Sequence, residues 1–172
     1  ILKVLKKFID QGKIRYIGLS NETSWGLSKF LELSELYDLP RVVSVQNPYN
    51  LLNRTYEIGM AEISIREECG LLAYSPLAGG YLTEDYKYKQ LKDGSRKRKF
   101  YEHLVKYKKP NALTAIEKYN KLSKEFNLNF AQMAIKFNEI QKFLTSVIIG
   151  PMNMEQLKIC LLYTSPSPRD TN

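Results

Sequence analysis

Ile14-Arg15-Tyr16-Ile17-Gly18-Leu19 opens a pattern that recurs as Val42-Val43-Ser44-Val45-Gln46 and again as Leu71-Leu72-Ala73-Tyr74-Ser75. Each run is short, rich in β-branched, aliphatic or aromatic residues, and closed by breakers: Ser20-Asn21, Asn47-Pro48 and Pro76. That is the composition of a strand bounded by turn residues. The three runs start at residues 14, 42 and 71, and each interval holds a helical pattern. Strands repeating at this interval with a helix between them are βαβ crossovers, which demand parallel pairing. A fourth strand is expected at Ser146–Ile149, ahead of Gly150-Pro151. The chain is read as α/β with about four parallel strands. It is either half of a (β/α)8 barrel or part of an open doubly wound sheet.

The helical stretches follow from apolar spacing. Leu2, Leu5, Phe8 and Ile9 mark the first, stopped at Gly12. The second is expected over about Ser24 to Tyr37, with Leu27, Phe30, Leu31 and Leu36 turned inward and Pro40 blocking its continuation. Ile58, Ala61 and Ile65 mark the third; Ile116, Tyr119, Leu122 and Phe126 the fourth; Met133, Phe137 and Ile140 the fifth. Asn129 followed by Gln132 is a capping-box-like start to that fifth helix. A last helix is expected from about Asn153.

Composition narrows the class. The chain has 172 residues, 44% hydrophobic and 26% charged, the balance of a globular protein and not of collagen, low-complexity disorder or a disulfide scaffold. No apolar run reaches the roughly 18 residues of a membrane span. No secretory signal is visible, and a cytoplasmic protein is expected. The first residue is Ile1 and enters a helical pattern directly, so the sequence reads as a segment of a longer chain. Cys69 and Cys160 have no CxxC partner and read as packed thiols; the one histidine, His103, cannot build a histidine metal site, and no metal is expected.

The net charge is +8 and it is concentrated. Between Tyr86 and Lys109 lie ten basic residues and two acids, which leaves the rest of the chain at 16 against 16. This basic loop, over about residues 80–112, has three readings: a solvated loop, a clamp for the phosphates of a small ligand, or a nucleic-acid or targeting segment around Ser95-Arg96-Lys97-Arg98-Lys99. The neutral remainder disfavours nucleic acid as a partner.

Parallel α/β folds bind ligands at the carboxyl ends of their strands. Those ends are Ser20-Asn21, Gln46-Asn47, Tyr74-Ser75-Pro76 and Gly150-Pro151. Turn chemistry explains Asn, Ser and Pro, but Gln46 is not a turn residue. Ser20, Asn21 and Gln46 offer donors and acceptors suited to an amide-bearing ring, and Tyr74 offers a stacking face. Ser75-Pro76-Leu77-Ala78-Gly79-Gly80 is a small-residue loop whose amides could approach a phosphate, with Arg96 and neighbouring lysines closing over it. Neither GxGxxG, nor a P-loop, nor a GxSxG elbow occurs.

Four ordered motifs, Lys13–Asn21, Val45-Gln46-Asn47-Pro48-Tyr49-Asn50, Leu72-Ala73-Tyr74-Ser75-Pro76-Leu77 and Ile148-Ile149-Gly150, resemble those of the aldo/keto reductases. Trp25-Gly26 after Ser20-Asn21, and Asn53-Arg54 after Gln46-Asn47-Pro48-Tyr49, resemble the bacterial Tas-like branch, with potassium channel β-subunits more distant. The resemblance covers about residues 1–159 and implies the C-terminal half of a (β/α)8 barrel that binds NADPH. By that resemblance Ser20, Asn21 and Gln46 hold the nicotinamide carboxamide, and Tyr74 stacks on the ring. Ser75, Pro76, Leu77 and Gly79 sit at the pyrophosphate, Arg96 near the adenosine phosphates, Gly150 at the last strand end, and Gln156 at the adenine. The intact enzyme would reduce small aldehydes or ketones to alcohols.

The family's catalytic Asp, Tyr, Lys and His are expected upstream of Ile1. No catalytic residue is therefore assigned, and the segment is expected to be inactive alone. Two departures stand out. Leu82-Thr83-Glu84-Asp85-Tyr86 replaces the family's Leu-Thr-Gly-Lys-Tyr, and Pro151-Met152 follows the last glycine where Ser or Thr is common. Residues 160–172, with Ser165-Pro166-Ser167-Pro168, read as a non-native, adaptor-like tail. Alternative functions are a cofactor-sensing regulatory subunit of the same fold and a basic nucleic-acid-binding module.

Overall fold

The computed structural model describes residues 1–84 and 102–161. Arg96, the core of the basic loop and residues 162–172 lie outside them. The chain divides into two compact units, the first built from Ile1–Tyr49, Asn53–Tyr74 and Glu139–Ile148 and the second from Asn50–Leu52, Ser75–Asn138 and Ile149–Asn172.

The first unit holds the sheet: β1 (Ile17–Ser20), β2 (Val42–Pro48), β3 (Gly70–Tyr74) and β4 (Leu144–Ile148). All pairs are parallel and the strands lie in chain order. A doubly wound sheet reverses its order at a switch point, whereas a barrel wall runs in sequence. The sequential order therefore favours the barrel alternative and is consistent with part of a (β/α)8 barrel. β1 is shorter than expected, because pairing begins at Ile17 opposite Val42. β4 sits slightly earlier than expected, beginning opposite Leu71.

Register separates the two faces of the sheet. Leu19, Val45 and Leu71 align across β1 to β3, as do Ser20, Gln46 and Leu72 one residue on; at β4 the register shifts, so that Leu71 pairs with Leu144 and Leu72 with Ser146. Side chains alternate along a strand, so the two rows face opposite ways. Ile17, Val45, Leu71 and Ala73 are buried, while Ser20, Gln46 and Ser146 are exposed. On the exposed side Gly18 and Gly70 flank Ser44. A Cβ at Gly18 would lie 2.7 Å from the Ser44 hydroxyl, and one at Gly70 would overlap the Thr145 side chain. A side chain at either position would force the neighbouring hydroxyl to move.

Three helices belong to this unit: α1 (Leu2–Asp10), α2 (Ser24–Leu36) and α3 (Met60–Arg66). Thr23 caps α2, its hydroxyl accepting the Gly26 N–H at 3.2 Å. Leu27, Leu31 and Ser34 form the buried stripe of α2. Leu36, expected inward, is 65% exposed, because at 3.6 residues per turn it lies roughly half a turn from Leu27. α3 corrects a second expectation: Ile58 precedes the helix and is exposed, Ile65 is exposed, and Met60 and Ser64 are buried in their place. The Ser64 hydroxyl is satisfied by the Tyr56 hydroxyl at 2.6 Å.

Among the described residues the second unit contains α4 (Pro110–Glu125), nearly all of α5 (Phe130–Glu139), α6 (Met154–Leu161) and two short 3₁₀ segments at Ala78–Gly80 and Glu102–Lys108. Its core packs Ala78, Tyr81, Leu82, Tyr107, Ile116, Phe130 and Ala134 together. The stretch expected as loop up to about residue 112 is thus structured from Glu102, where Tyr107 is anchored in the core, and Pro110 starts a helix. Leu122 and Phe126 are exposed, since the inward positions of α4 are Ile116 and Ser123. The buried face of α5 is Phe130, Ala131, Ala134, Ile135 and Asn138; Ile140, expected inward, falls beyond the helix end and is exposed. Asn129 caps α5 as expected, accepting the Gln132 N–H at 3.2 Å. The Gln132 side chain does not return to the cap; it donates to the Ile159 carbonyl at 3.1 Å.

Candidate functional site

Within the first unit, β1, β2 and β3 bring Ser20, Asn21, Gln46 and Tyr74 to one end of one sheet. Ser20 and Gln46 are register partners. Asn21 takes a left-handed conformation, φ 55°, which Asn tolerates better than most residues. That turn lets its N–H donate to the Gln46 carbonyl at 2.9 Å. Its side chain is held from the other direction, because the Tyr74 hydroxyl donates to Asn21 Oδ1 at 2.7 Å. Asn21 Nδ2 in turn donates to the Ser20 hydroxyl at 3.3 Å. The Gln46 amide is exposed and makes no hydrogen bond among the described residues. The edge therefore carries an organised donor–acceptor corner, a free amide and a half-buried aromatic ring.

Asn47 is a supporting residue that the sequence reading passed over as a strand breaker. Its side chain accepts the Glu22 N–H at 3.1 Å and donates to the Glu22 carbonyl at 2.9 Å. The peptide groups immediately after Asn21 are thereby fastened to the end of β2. Tyr49, fully buried, donates to the Glu57 carboxylate at 2.5 Å. Arg54 makes a two-pronged pair with that carboxylate at 2.7 and 2.8 Å. The guanidinium holds the Glu57 carboxyl below its ordinary range, and burial together with the anionic neighbour pushes the Tyr49 phenol far up.

The second unit carries the small-residue loop. Ser75, Ala78, Gly79 and Gly80 all have positive φ, at 56°, 49°, 68° and 94°. For Ser75 and Ala78 the left-handed conformation costs roughly 1–2 kcal/mol each, so surrounding contacts must impose it. Asn50 is one such contact: fully buried, it donates to the Ser75 carbonyl at 2.9 Å and to the Tyr107 hydroxyl at 3.1 Å. Burial raises the Tyr107 phenol, and the Asn50 contact partly offsets this. Gly80 N–H donates to the Leu77 carbonyl and Ala78 N–H to the Ser75 carbonyl, while the amides of Leu77 and Gly79 have no partner among the described residues. Two unpartnered amides flanking a bonded one in this turn leave N–H groups available to an anion. Gly79 has a second reason to be glycine, since a Cβ there would lie 2.7 Å from Leu104. Pro76 is buried and Gly150 exposed.

Gln156 proves to be a capping residue. Its Oε1 accepts the Met152 N–H at 2.8 Å, and its own N–H donates to Asn153 Oδ1 at 2.9 Å. The signal was present in Asn153-x-x-Gln156, the spacing of a capping box. Among the described residues, no three His, Cys, Asp or Glu side chains come together as a metal site, and no helix is long and apolar enough to cross a membrane.

Sequential parallel β/α units, with polar side chains at the carboxyl ends of the strands, are those of an α/β protein and consistent with part of a (β/α)8 barrel. The chain belongs to the aldo/keto reductase family, whose profile its residues 1–164 match, and so to a family of oxidoreductases. It is 41% identical over 157 residues to Protein tas of Escherichia coli strain K12, covering 91% of this chain and 45% of that protein. An aldo-keto reductase of Babesia bovis is 33% identical over 171 residues, with 96% and 60% covered. L-glyceraldehyde 3-phosphate reductase of the same E. coli strain is 27% identical over 157 residues, with 87% and 44% covered. The chain thus spans roughly half the length of these relatives.

Proposed function

We propose that this chain is the cofactor-holding part of an NADPH-dependent reductase of small carbonyl compounds, a cytoplasmic enzyme in its intact form. Bound NADPH would supply a hydride to a carbonyl carbon. Ser20, Asn21 and Gln46 hold the carboxamide, and the Tyr74 ring supports one face of the nicotinamide. The amides of Leu77 and Gly79 bind a phosphate, with Ser75 and Pro76 shaping their loop. Arg96 supplies positive charge near the phosphates, Gly150 leaves the last strand end open, and Gln156, through the Nε2 its cap leaves over, meets the adenine. The general acid that protonates the product oxygen comes from the part of the relatives' length this chain does not span. On this reading the chain orients the hydride donor and moves no proton itself.

The observation that carries the proposal is the convergence of Ser20, Asn21, Gln46 and Tyr74 at one sheet edge, where packing requires none of them. The test is quenching of NADPH fluorescence by the full-length protein. Tyr74→Ala and Gln46→Ala should each weaken binding by about tenfold, the scale of one lost stacking or hydrogen-bonding contact. Unchanged affinity in both variants would reject the assignment.

A further inference from the structure

The hydrogen bonds at the sheet edge run in one direction. The Tyr74 hydroxyl donates to Asn21 Oδ1, and Asn21 Nδ2 donates to the Ser20 hydroxyl oxygen. A phenol is a good donor, and an amide carbonyl is the acceptor that suits it. With its oxygen engaged in this way, Asn21 cannot turn its amide over without losing that bond. Its backbone is equally fixed, by the N–H donated to the Gln46 carbonyl at 2.9 Å. Asn21 is left with one amide proton directed away from Ser20, and Ser20, having accepted, keeps its own hydroxyl proton to give. The corner made by Ser20 and Asn21 is a donor corner.

We infer that Tyr74 is a positioning residue as well as a stacking surface: its hydroxyl sets the orientation of Asn21, so that Ser20 and Asn21 together recognise a ligand's carbonyl oxygen. The inference rests on the proposed nicotinamide site and deepens it. A carboxamide has one acceptor and one donor end. The donor corner takes the oxygen, which leaves the carboxamide NH2 for the unengaged Gln46 amide. This division of labour fixes which way round the carboxamide lies, and therefore which face of the ring is turned outward. Without the Tyr74 hydroxyl, Asn21 can present either end.

The test uses the full-length protein and two ligands, NADPH and 2′-phospho-ADP-ribose, which lacks the nicotinamide. Tyr74→Phe keeps the ring and deletes the hydroxyl. It should weaken NADPH by about five- to tenfold, the effect of one hydrogen bond, and leave 2′-phospho-ADP-ribose unchanged. Asn21→Asp keeps the acceptor for Tyr74 and removes the outward donor, and it should weaken NADPH at least as much. If Tyr74→Phe and Asn21→Asp both bind NADPH like the parent while Tyr74→Ala does not, the orienting role is overturned and the stacking site stands. If Tyr74→Ala also binds NADPH like the parent, the site itself is misplaced and the inference fails with it. Thermal melts of each variant separate loss of binding from loss of fold.

Discussion

Asn47 grips Glu22 by both sides of its peptide unit, accepting the N–H at 3.1 Å and donating to the carbonyl at 2.9 Å. Two strands that are neighbours in the sheet are thus tied again beyond the point where their ladder ends. Asn47→Ala leaves both backbone groups unpaired in a part-buried setting, with an expected loss of about 1–3 kcal/mol. Asn47→Asp retains the acceptor and should cost less. Urea denaturation of the three proteins checks the order parent, Asp, Ala.

The glycine pair in the loop after β3 separates two kinds of strain. Gly79→Ala meets both an unfavourable φ of 68° and the Leu104 side chain at 2.7 Å, whereas Gly80→Ala meets φ 94° with open space around it. Gly80→Ala should cost about 1 kcal/mol and Gly79→Ala clearly more. Leu104→Ala combined with Gly79→Ala should show a favourable coupling of roughly 1 kcal/mol in a double-mutant cycle, because the steric part of the penalty disappears and the torsional part stays.

Stability should fall at both ends of the pH scale through one cluster. Arg54 lowers the Glu57 carboxyl from its ordinary 4.5. The contribution is therefore complete above pH 4.5 and is lost as pH drops through the folded value. Tyr49, raised from 10.0 chiefly by burial, has the opposite sign: its contribution is complete below pH 10 and declines as the solution becomes more alkaline. Glu57→Gln should flatten the acid limb of a melting-temperature profile, lowering the melting temperature most in the neutral region, where the contribution is complete, and least in acid.

Cys69 and Cys160 are free thiols, both buried and both raised by desolvation. Labelling with a thiol reagent at neutral pH should be slow in the folded protein and rapid in denaturant, since the reactive thiolate is both scarce and shielded. Prompt stoichiometric labelling of native protein would contradict the packing around these residues.

Among the described residues β1 and β4 each pair on one side only. Unpaired strand edges template association, so the 172-residue chain on its own should self-associate or melt without cooperativity. Sedimentation and calorimetry check this; a cooperative monomer would show that the edges are protected.

The order of strands, their parallel pairing and the residues at their ends were legible because they depend on local composition and a repeat length. The inward faces of the helices were less so. Three buried helix positions are serines: Ser34, Ser64 and Ser123. Each hides its hydroxyl in a hydrogen bond, Ser34 to the Phe30 and Pro40 carbonyls, Ser64 to Tyr56, Ser123 to the Asn120 carbonyl. A reading that follows apolar residues alone rotates these helices toward Leu36, Ile65 and Leu122, which are exposed. At the site, residue types were readable, but Asn47 and Asn50 act through backbone groups 25 residues distant, and such long-range ties leave no local trace. Gln156 was readable two ways, and its spacing from Asn153 was the overlooked clue.

The alternation of Ser20, Gln46 and Leu72, the last paired with Ser146, with the inward row of Leu19, Val45 and Leu71 has a consequence for how such a protein diversifies. Chemistry on one side of the strands and cohesion on the other are written at interleaved positions. Variation at Leu72 or Ser146 can reshape what the sheet presents while the interior that keeps it folded is inherited intact.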